Sequence, residues 1–538
     1  MYASHHFFTP MSGSRLTYLL TKEVTMKPAS RNAMKPFAAL LAATCVLTAH
    51  AETFNSGSTG ADGALNPTVN TEIQLPESGI LNYTSINIPT GVTVSFRRNT
   101  LNTPVVLLVQ GNVTVAGRIH VNATGSSADV GSAGDGVQAD DGNPGRGGPG
   151  GFDGGRGGGI AAGTRRGGTG LGPGGGQGGA ERVQYYLGTG ANAGYSSVGQ
   201  AGSVWDVNGL GSPGGVSVRV AEGGSAYGSN LILPLIGGSG GGGGAGDDNS
   251  PGSGGGGGGG ALLIASSGTI NITGRIEAYG GWGGQTAGTG TGSNGGGGSG
   301  GAIKLMANSI AGNGVVEALG GCRKARNWDY NHCQGIASAG RVRLEANTIT
   351  RTSATNPAAS VSTPGPIFIP NSPAIRIASI AGQAVPVTPT GNADITLPST
   401  TTTPVTVELT TTNVPLGNTI SVTVKPANAD ATSVVSPAIS GTLANGTTSV
   451  QVTLPAGPSI IQAQTTYTVV AALGNALSNF ANNERVERLE IAADLGGSGS
   501  RVQLVTVSGK KFDATPAALA LIDTFNAMQT SASARVGS

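Results

Sequence analysis

The sequence predicts an all-β chain: a parallel β-solenoid with long glycine-rich excursions, followed by an immunoglobulin-like β-sandwich. Three observations carry that prediction. Short alternating apolar strands recur in self-similar copies. The excess length between copies always falls at one corner of the repeat. Beyond about residue 350 glycine gives way to Thr, Pro, Val and Ser, and short alternating strands continue.

Composition excludes several alternatives. The chain has 95 glycines in 538 residues, about 18% against a usual share of roughly 7%. With 28 prolines and no sustained triplet it is not a collagen triple helix. With 30 basic against 28 acidic residues it has no surplus for a basic nucleic-acid-binding face. A 38% hydrophobic content and a net charge of +2 argue against charge-driven disorder.

Residues 1–51 read as an over-long start followed by a secretory signal. Lys27, Arg31 and Lys35 supply a positive region, 37–47 an apolar run, and Ala49-His50-Ala51 a small-x-small cleavage site. Met26 or Met34 is the expected initiator, and cleavage is expected near Ala51. Lipidation of Cys45 is the rival, weakened because Ala42-Ala43-Thr44 lacks the usual preceding leucine. The remaining Cys322 and Cys333 then read as one disulfide in an exported chain.

The region 52–351 is the expected solenoid. Its copies begin at Leu107-Leu108-Val109, Leu262-Leu263-Ile264, Ile303-Lys304-Leu305 and Val342-Arg343-Leu344, and the first three close on Arg118-Ile119-His120, Arg275-Ile276-Glu277 and Val315-Val316-Glu317. A strand of this kind cannot bury its apolar face alone, whereas stacked copies bury a continuous core. Such stacking puts Ile119, Ile276 and Val316 in one line. The Ala-Asn-Ser/Thr-Ile step at Asn308 and Asn347 is expected to turn a corner, with asparagine in the left-handed region.

Three excursions, 126–259, 282–300 and the disulfide loop 322–339, leave the same corner, so register stacking lays them side by side. The stretch 141–180 holds 21 glycines. Two states fit it: a flexible tether, or a packed bundle of polyproline-II-like glycine helices whose backbones approach closely because no Cβ intervenes. The apolar islands 183–187, 203–207 and 231–236 imply returns to the solenoid surface.

Residues 352–371 read as a Pro/Thr linker and 372–475 as the immunoglobulin-like sandwich, its strands separated by turns such as Asn445-Gly446. Over 476–538 two strands precede a short helix. Thr515 is its cap and Pro516 its first residue, and Leu519, Ile522, Phe525 and Met528 form its apolar stripe.

The combination of signal, Gly-Gly-punctuated coils and Pro/Thr-rich sandwich resembles the glycine-rich solenoid proteins exported by Gram-negative bacteria, which are surface or extracellular proteins. The resemblance implies a right-handed parallel β-helix of the pectate-lyase type. It transfers no catalytic residue.

Candidate chemistry is sparse. Gly237-Gly238-Ser239-Gly240-Gly241 and Gly297-Gly298-Ser299-Gly300-Gly301 satisfy the hydrolase pattern G-x-S-x-G, but neither sits between a strand and a helix. The G-x-G-x-x-G matches lack a βαβ unit. Asp135, Asp140, Asp141, Asp247 and Asp248 in glycine turns could hold calcium weakly, against their reading as solvated turn residues. No other cofactor or metal is expected. Arg118 with Arg275, and His120 with Glu277 and Glu317, form a ladder that is either a saccharide groove or a polar outer face. Ice binding is disfavoured, since the copies lack a Thr-x-Thr array.

The densest polar-aromatic cluster is the disulfide loop, where Arg323, Arg326, Trp328, Asp329, Tyr330 and His332 have good contact chemistry. The expected function is therefore that of an exported, non-enzymatic structural or adhesive protein. It would present its glycine-rich and stapled loops to a cell-surface or matrix polysaccharide or protein. The alternative is a polysaccharide-binding or carbohydrate-active β-helix enzyme. Neither a nucleic-acid partner nor a transmembrane segment in the mature chain is expected.

Overall fold

The computed structural model describes residues 53–123, 142–160, 163, 165–183, 186–206, 220–285, 292–324, 333–367, 372–386, 394–426, 430–455, 457, 459–493 and 500–536. It is an all-β structure in which parallel sheets come first and antiparallel sheets follow. No helix among the described residues is long and apolar enough to cross a membrane.

Up to about residue 362 the chain alternates between two parallel sheets. Each new strand pairs with the strand laid down one copy earlier. Ala261–Ile272 pairs with Val105–Val109 and Val113–Val115 on one side and with Ala302–Ala311 on the other, and Arg341–Ile349 follows. In the second parallel sheet Thr93–Arg97, Arg118–His120, Arg275–Glu277 and Val315–Glu317 stack in order. Ile119, Ile276 and Val316 are register partners in one line, and all three are buried. They join Ile264, Leu305 and Leu344 in a core shared by both sheets. Each Ile or Leu buried in such a core is worth about 1.5–3 kcal/mol.

The corner asparagines behave differently from expectation. Asn308 and Asn347 are not left-handed; strand pairing continues past them, but the core-facing alternation slips at this step, from Ala307 to Ile310 and from Ala346 to Ile349, with a register irregularity opposite at Ser266/Thr269. Their amides instead bridge copies: Asn347 Nδ2 donates to Asn308 Oδ1 at 3.0 Å, and Asn308 Nδ2 to Ser267 O at 2.7 Å. Stacking satisfies these side chains, so the corner needs no left-handed residue. The stretch 352–371 also departs from a linker. Ser360–Ser362 adds a parallel strand beside Arg341–Ile349, and Asn356 bridges to Glu317.

The described parts of the glycine-rich excursions are packed. Segment 237–246 lies at the centre of six neighbours and contacts them with a three-residue rhythm. Gly240, Gly243 and Gly246 N–H donate to Leu171, Gly168 and Arg165 O; Gly238, Gly241 and Gly244 to Gly259, Gly256 and Ser253; Gly242 and Ala245 to Ala191 and Gly188. Its own carbonyls accept from 152–158, from 176–179 and from 293–299, again every third residue. A three-fold helix of the polyproline II kind has this symmetry, and it forms no bonds within itself. Every backbone group must then be satisfied by a neighbour.

Close approach explains the composition. A Cβ on Gly241 would collide with Gly296 O, one on Gly255 with Gly241 O, and one on Gly298 with Gly257 O. The bundle continues into the sheets: Gly260 and Gly301 precede Ala261 and Ala302, and Ala302 N–H donates to Gly260 O at 3.0 Å. At this junction Phe152, Tyr195, Tyr227, Ile232 and Ile236 pack on Ala261 and Ala302. The Tyr195 and Tyr227 rings stack at 4.5 Å, and their hydroxyls donate to Ile236 O and Gly237 O.

From residue 374 onward, antiparallel sheets of five and six strands share one core that includes Val407, Leu409, Val422 and Leu504. The strands Val486–Ala492 and Arg501–Thr506 pair into the same sheet as Ser459–Thr468, so no structural boundary falls at residue 475. Thr515 Oγ1 accepts from Ala518 N–H at 3.2 Å at the start of the helix Pro516–Val536. That helix buries Leu519 and Ile522 against the core, with Phe525 partly buried. The Met528 side chain lies outside the described residues.

The bundle yields a prediction. Gly241→Ala should cost about 3 kcal/mol, the upper part of the range for overpacking. Gly168→Ala, whose new Cβ would meet Arg156 N at 3.1 Å, should cost about 1 kcal/mol or less. Denaturant unfolding of both variants checks this, and equal costs would count against close packing.

Candidate functional site

The register of the glycine segments places their turns at two ends. Segments 142–148, 152–158, 165–171, 176–179 and 188–194 all run between the sheet end, near Gly150, Gly237 and Gly259, and an opposite end near Gly158, Arg165, Gly188 and Gly246. That far end carries the turns at 247–250 and 180–183. The described residues flanking 207–219, 286–291 and 325–332 also stand there, through Ser203 on Thr189, Ser293 on Ala245, and Arg323 on Ala201.

Arginines tie these turns together. Arg182 pairs with Asp247 at 2.8 Å and with Asp248 at 3.2 Å, and Arg165 pairs with Asp248. Asp247 is buried, where a carboxylate needs such a partner. Two of the candidate calcium ligands are thus held by guanidinium groups. The described residues contain no cluster of three or more acidic, His or Cys side chains that could hold a metal. Asp135, Asp140 and Asp141 lie outside them.

The disulfide loop is rooted at the same end. Cys322 and Cys333 stand at disulfide distance, with Cα atoms 5.6 Å apart, across the antiparallel pair Cys322–Lys324 and Cys333–Ile336. Arg323 does not project as a contact residue. It is 4% exposed, and its Nη1 donates to Ala201 O at 2.9 Å. Burial pulls its pKa below the usual arginine range, so it anchors the loop to the bundle. Arg326, Trp328, Asp329, Tyr330 and His332 lie outside the described residues.

The ladder on the second parallel sheet has the expected register, with Arg118 opposite Arg275 and Glu277 between His120 and Glu317. Its geometry differs from an open groove, because Glu277 is only 2% exposed. Arg118 Nε donates to Glu277 Oε2 at 2.8 Å, Arg275 Nε to Oε1, and Asn122 Nδ2 to Oε2 at 3.4 Å. Arg275 Nη2 also reaches Glu317 Oε2 and Tyr279 Oη, each at 3.2 Å, and Tyr279 Oη donates to Glu317. Alternation turned Glu277 away from the apolar core, and the two long arginines then folded over it.

The electrostatics follow. Burial alone would raise the Glu277 pKa, but hydrogen bonds from Arg275 and Arg118 outweigh it and hold the carboxyl below its ordinary value. Burial first, and then Glu317, push the Tyr279 phenol above its usual value. His120 is pulled down to about 4, by burial and then by Arg118, with Glu277 opposing. Its Nδ1 is buried without a partner. Near neutral pH the carboxylate, phenol and imidazole of this cluster therefore keep fixed protonation states. The cluster is a charge staple between successive copies.

The two G-x-S-x-G serines are also structural. Ser239 and Ser299 are buried; Ser239 Oγ donates to Tyr227 Oη at 2.9 Å, and Ser299 Oγ accepts from Ser239 N–H at 2.8 Å. Sequence reasoning missed the Arg165 and Arg182 pairs, Asn122 and Tyr279, because each meets its partner only through stacking. No protein family, curated protein or solved structure matches the chain.

A pH dependence follows from the ladder. Because the folded-state pKa of His120 is about 4 against an ordinary 6.5, the unfolded chain takes up the proton first on acidification, and stability is lost between those values. Glu277, also lowered, contributes above its ordinary pKa and loses that contribution as pH falls further. Thermal midpoints across pH should show His120→Gln abolishing the fall between about 6.5 and about 4. Glu277→Gln should lower the midpoint at neutral pH, because it leaves two guanidinium groups over an uncharged partner.

Proposed function

We propose that the protein is an exported, non-enzymatic scaffold of structural or adhesive function, which displays loops from the far end of a rigid glycine bundle. The observation that carries this is the bundle itself, in which one glycine segment is hydrogen-bonded on six sides and continues into the parallel strands. Ordering glycine is entropically expensive. A tether would not need it, whereas a platform that fixes several loops at one end does.

In this account the two parallel sheets are faces of a right-handed β-solenoid of the pectate-lyase type, and the two antiparallel sheets form an immunoglobulin-like module that acts as spacer or attachment point. Residues 1–51 direct export and are removed near Ala51, and the chain works outside a Gram-negative cell. The Cys322–Cys333 pair supports export, since disulfides persist in oxidising compartments. The contact residues are those of the stapled loop beyond Arg323, and the partner is a surface or matrix polysaccharide or protein. The carbohydrate-active alternative needs a carboxyl able to exchange a proton near neutral pH, which Glu277 beneath Arg118 and Arg275 does not offer.

Replacing 325–332 by a Gly-Ser linker tests the proposal, with binding to bacterial cell surfaces and to a glycan array as the readout. Binding should fall by about tenfold or more, and the unfolding midpoint should stay within a few degrees. Reducing-sugar release from arrayed glycans, abolished by Glu277→Gln or Glu317→Gln, would overturn the non-enzymatic account.

A further inference from the structure

A cavity of about 1680 Å³ lies between the glycine bundle and the antiparallel sheets. One wall is the bundle segment 154–159. The other includes the outer face of the six-stranded sheet. There alternation sends Val422 and Val424 into the core and leaves Ser421, Thr423 and Lys425 on the opposite side, beside Gln464 and Gln462 in register.

We infer that this cavity is a binding site for an acidic polysaccharide, a hydroxyl-rich chain bearing carboxylate or sulfate groups. The charge is lopsided: among the described residues Arg156, Arg166, Arg376, Lys425 and Arg501 line the cavity against the one acidic residue Asp394. Across the whole chain basic and acidic residues nearly balance, so this excess is local. Two of these cations, Lys425 and Arg376, have no carboxylate partner among the described residues. Burial is the sole influence shifting Lys425, and no carboxylate offsets it. Arg376 gives Nη2 to a backbone carbonyl, Val385 O at 2.7 Å, whereas Arg501 pairs with Asp513 at 3.3 Å. A guanidinium without a carboxylate partner is suited to carboxylate or sulfate oxygens.

The rest of the lining suits a sugar chain. Ser421, Thr423, Gln462 and Gln464 offer hydroxyls and amides. The volume exceeds the roughly 300–1,000 Å³ of a small-molecule pocket, so an oligomer fits better than a single small anion. A single-stranded nucleic acid would need aromatic platforms for its bases. Among the described residues the lining holds only Tyr227, whose ring is already stacked on Tyr195 and whose hydroxyl is committed to Gly237 O. The lining reaches the far end of the bundle at Gly158, Arg166 and Pro251 but includes no described residue of the disulfide hairpin, so the inference does not depend on the function proposed for the stapled loop.

Calorimetric titration of the full mature chain with an oligogalacturonate tetramer tests the inference, with a neutral galactose tetramer and an eight-residue oligothymidylate as comparators. The acidic sugar should bind at least about tenfold tighter than the neutral one, and its affinity should drop severalfold on raising salt from about 0.05 to about 0.5 M. Lys425→Gln and Arg376→Gln should each weaken it by about tenfold. Arg156→Gln, on the exposed bundle side, should weaken it without touching the antiparallel core, so a folding failure of the sheet variants leaves a decisive measurement. Replacement of 325–332 should leave this affinity unchanged, which separates the site from the stapled loop. Equal affinity for the neutral tetramer, comparable affinity for the oligothymidylate, or an unaffected Arg156→Gln variant would each overturn the inference.

Discussion

The rest of this structure depends on the contact between bare glycine backbones. Three-fold glycine segments make no bonds within themselves, so each N–H and C=O must find a neighbour. The central segment 237–246 finds six. That density is possible only where no Cβ stands between chains, and a methyl group on Gly241, Gly255 or Gly298 would strike a neighbouring carbonyl oxygen. Each hydrogen bond contributes about 0.5–1.5 kcal/mol net, comparable with the cost of ordering one residue's backbone. The bundle therefore gains from being seeded at strands that are already fixed.

Those strands supply the seed. Gly260 and Gly301 lead directly into Ala261 and Ala302, where Ala302 N–H donates to Gly260 O and, further back, Gly259 N–H donates to Ser299 O. Tyr195, Tyr227 and Phe152 fill the junction with apolar surface. Lower in the stack, Arg118 and Arg275 grip Glu277 and so tie one copy to the next. At the far end Arg165 and Arg182 close the turns on Asp247 and Asp248. Apolar packing at the root, charge at the tip and glycine between them form one continuous packed unit.

Much of the framework could be read from residue order. The copies ending at Ile119, Ile276 and Val316 announce their own register, because an alternating strand has only one apolar face to bury. The common corner of the excursions follows from the same alignment. The state of the glycine does not, since flexible and packed chains have the same composition. Only the three-residue spacing of partners distinguishes them, and those partners lie in distant segments. The burial of Glu277 was hidden for a related reason: alternation tells which way a side chain leaves the strand, but not that arginines from two copies will cover it. Residues 352–371 looked like a linker because Pro and Thr dominate there, yet Ser360–Ser362 finds a parallel edge to extend. The Lys425 cavity needs both halves of the chain and has no local signature.

Hydrogen–deuterium exchange of the amides in 237–246 tests the central claim most directly. Peptides covering that segment should be protected to a degree comparable with the strand Ala261–Ile272, with slow exchange at Gly240 through Gly244. Exchange of the glycine segment at the rate of an unstructured chain, while Ala261–Ile272 stays protected, would contradict the account.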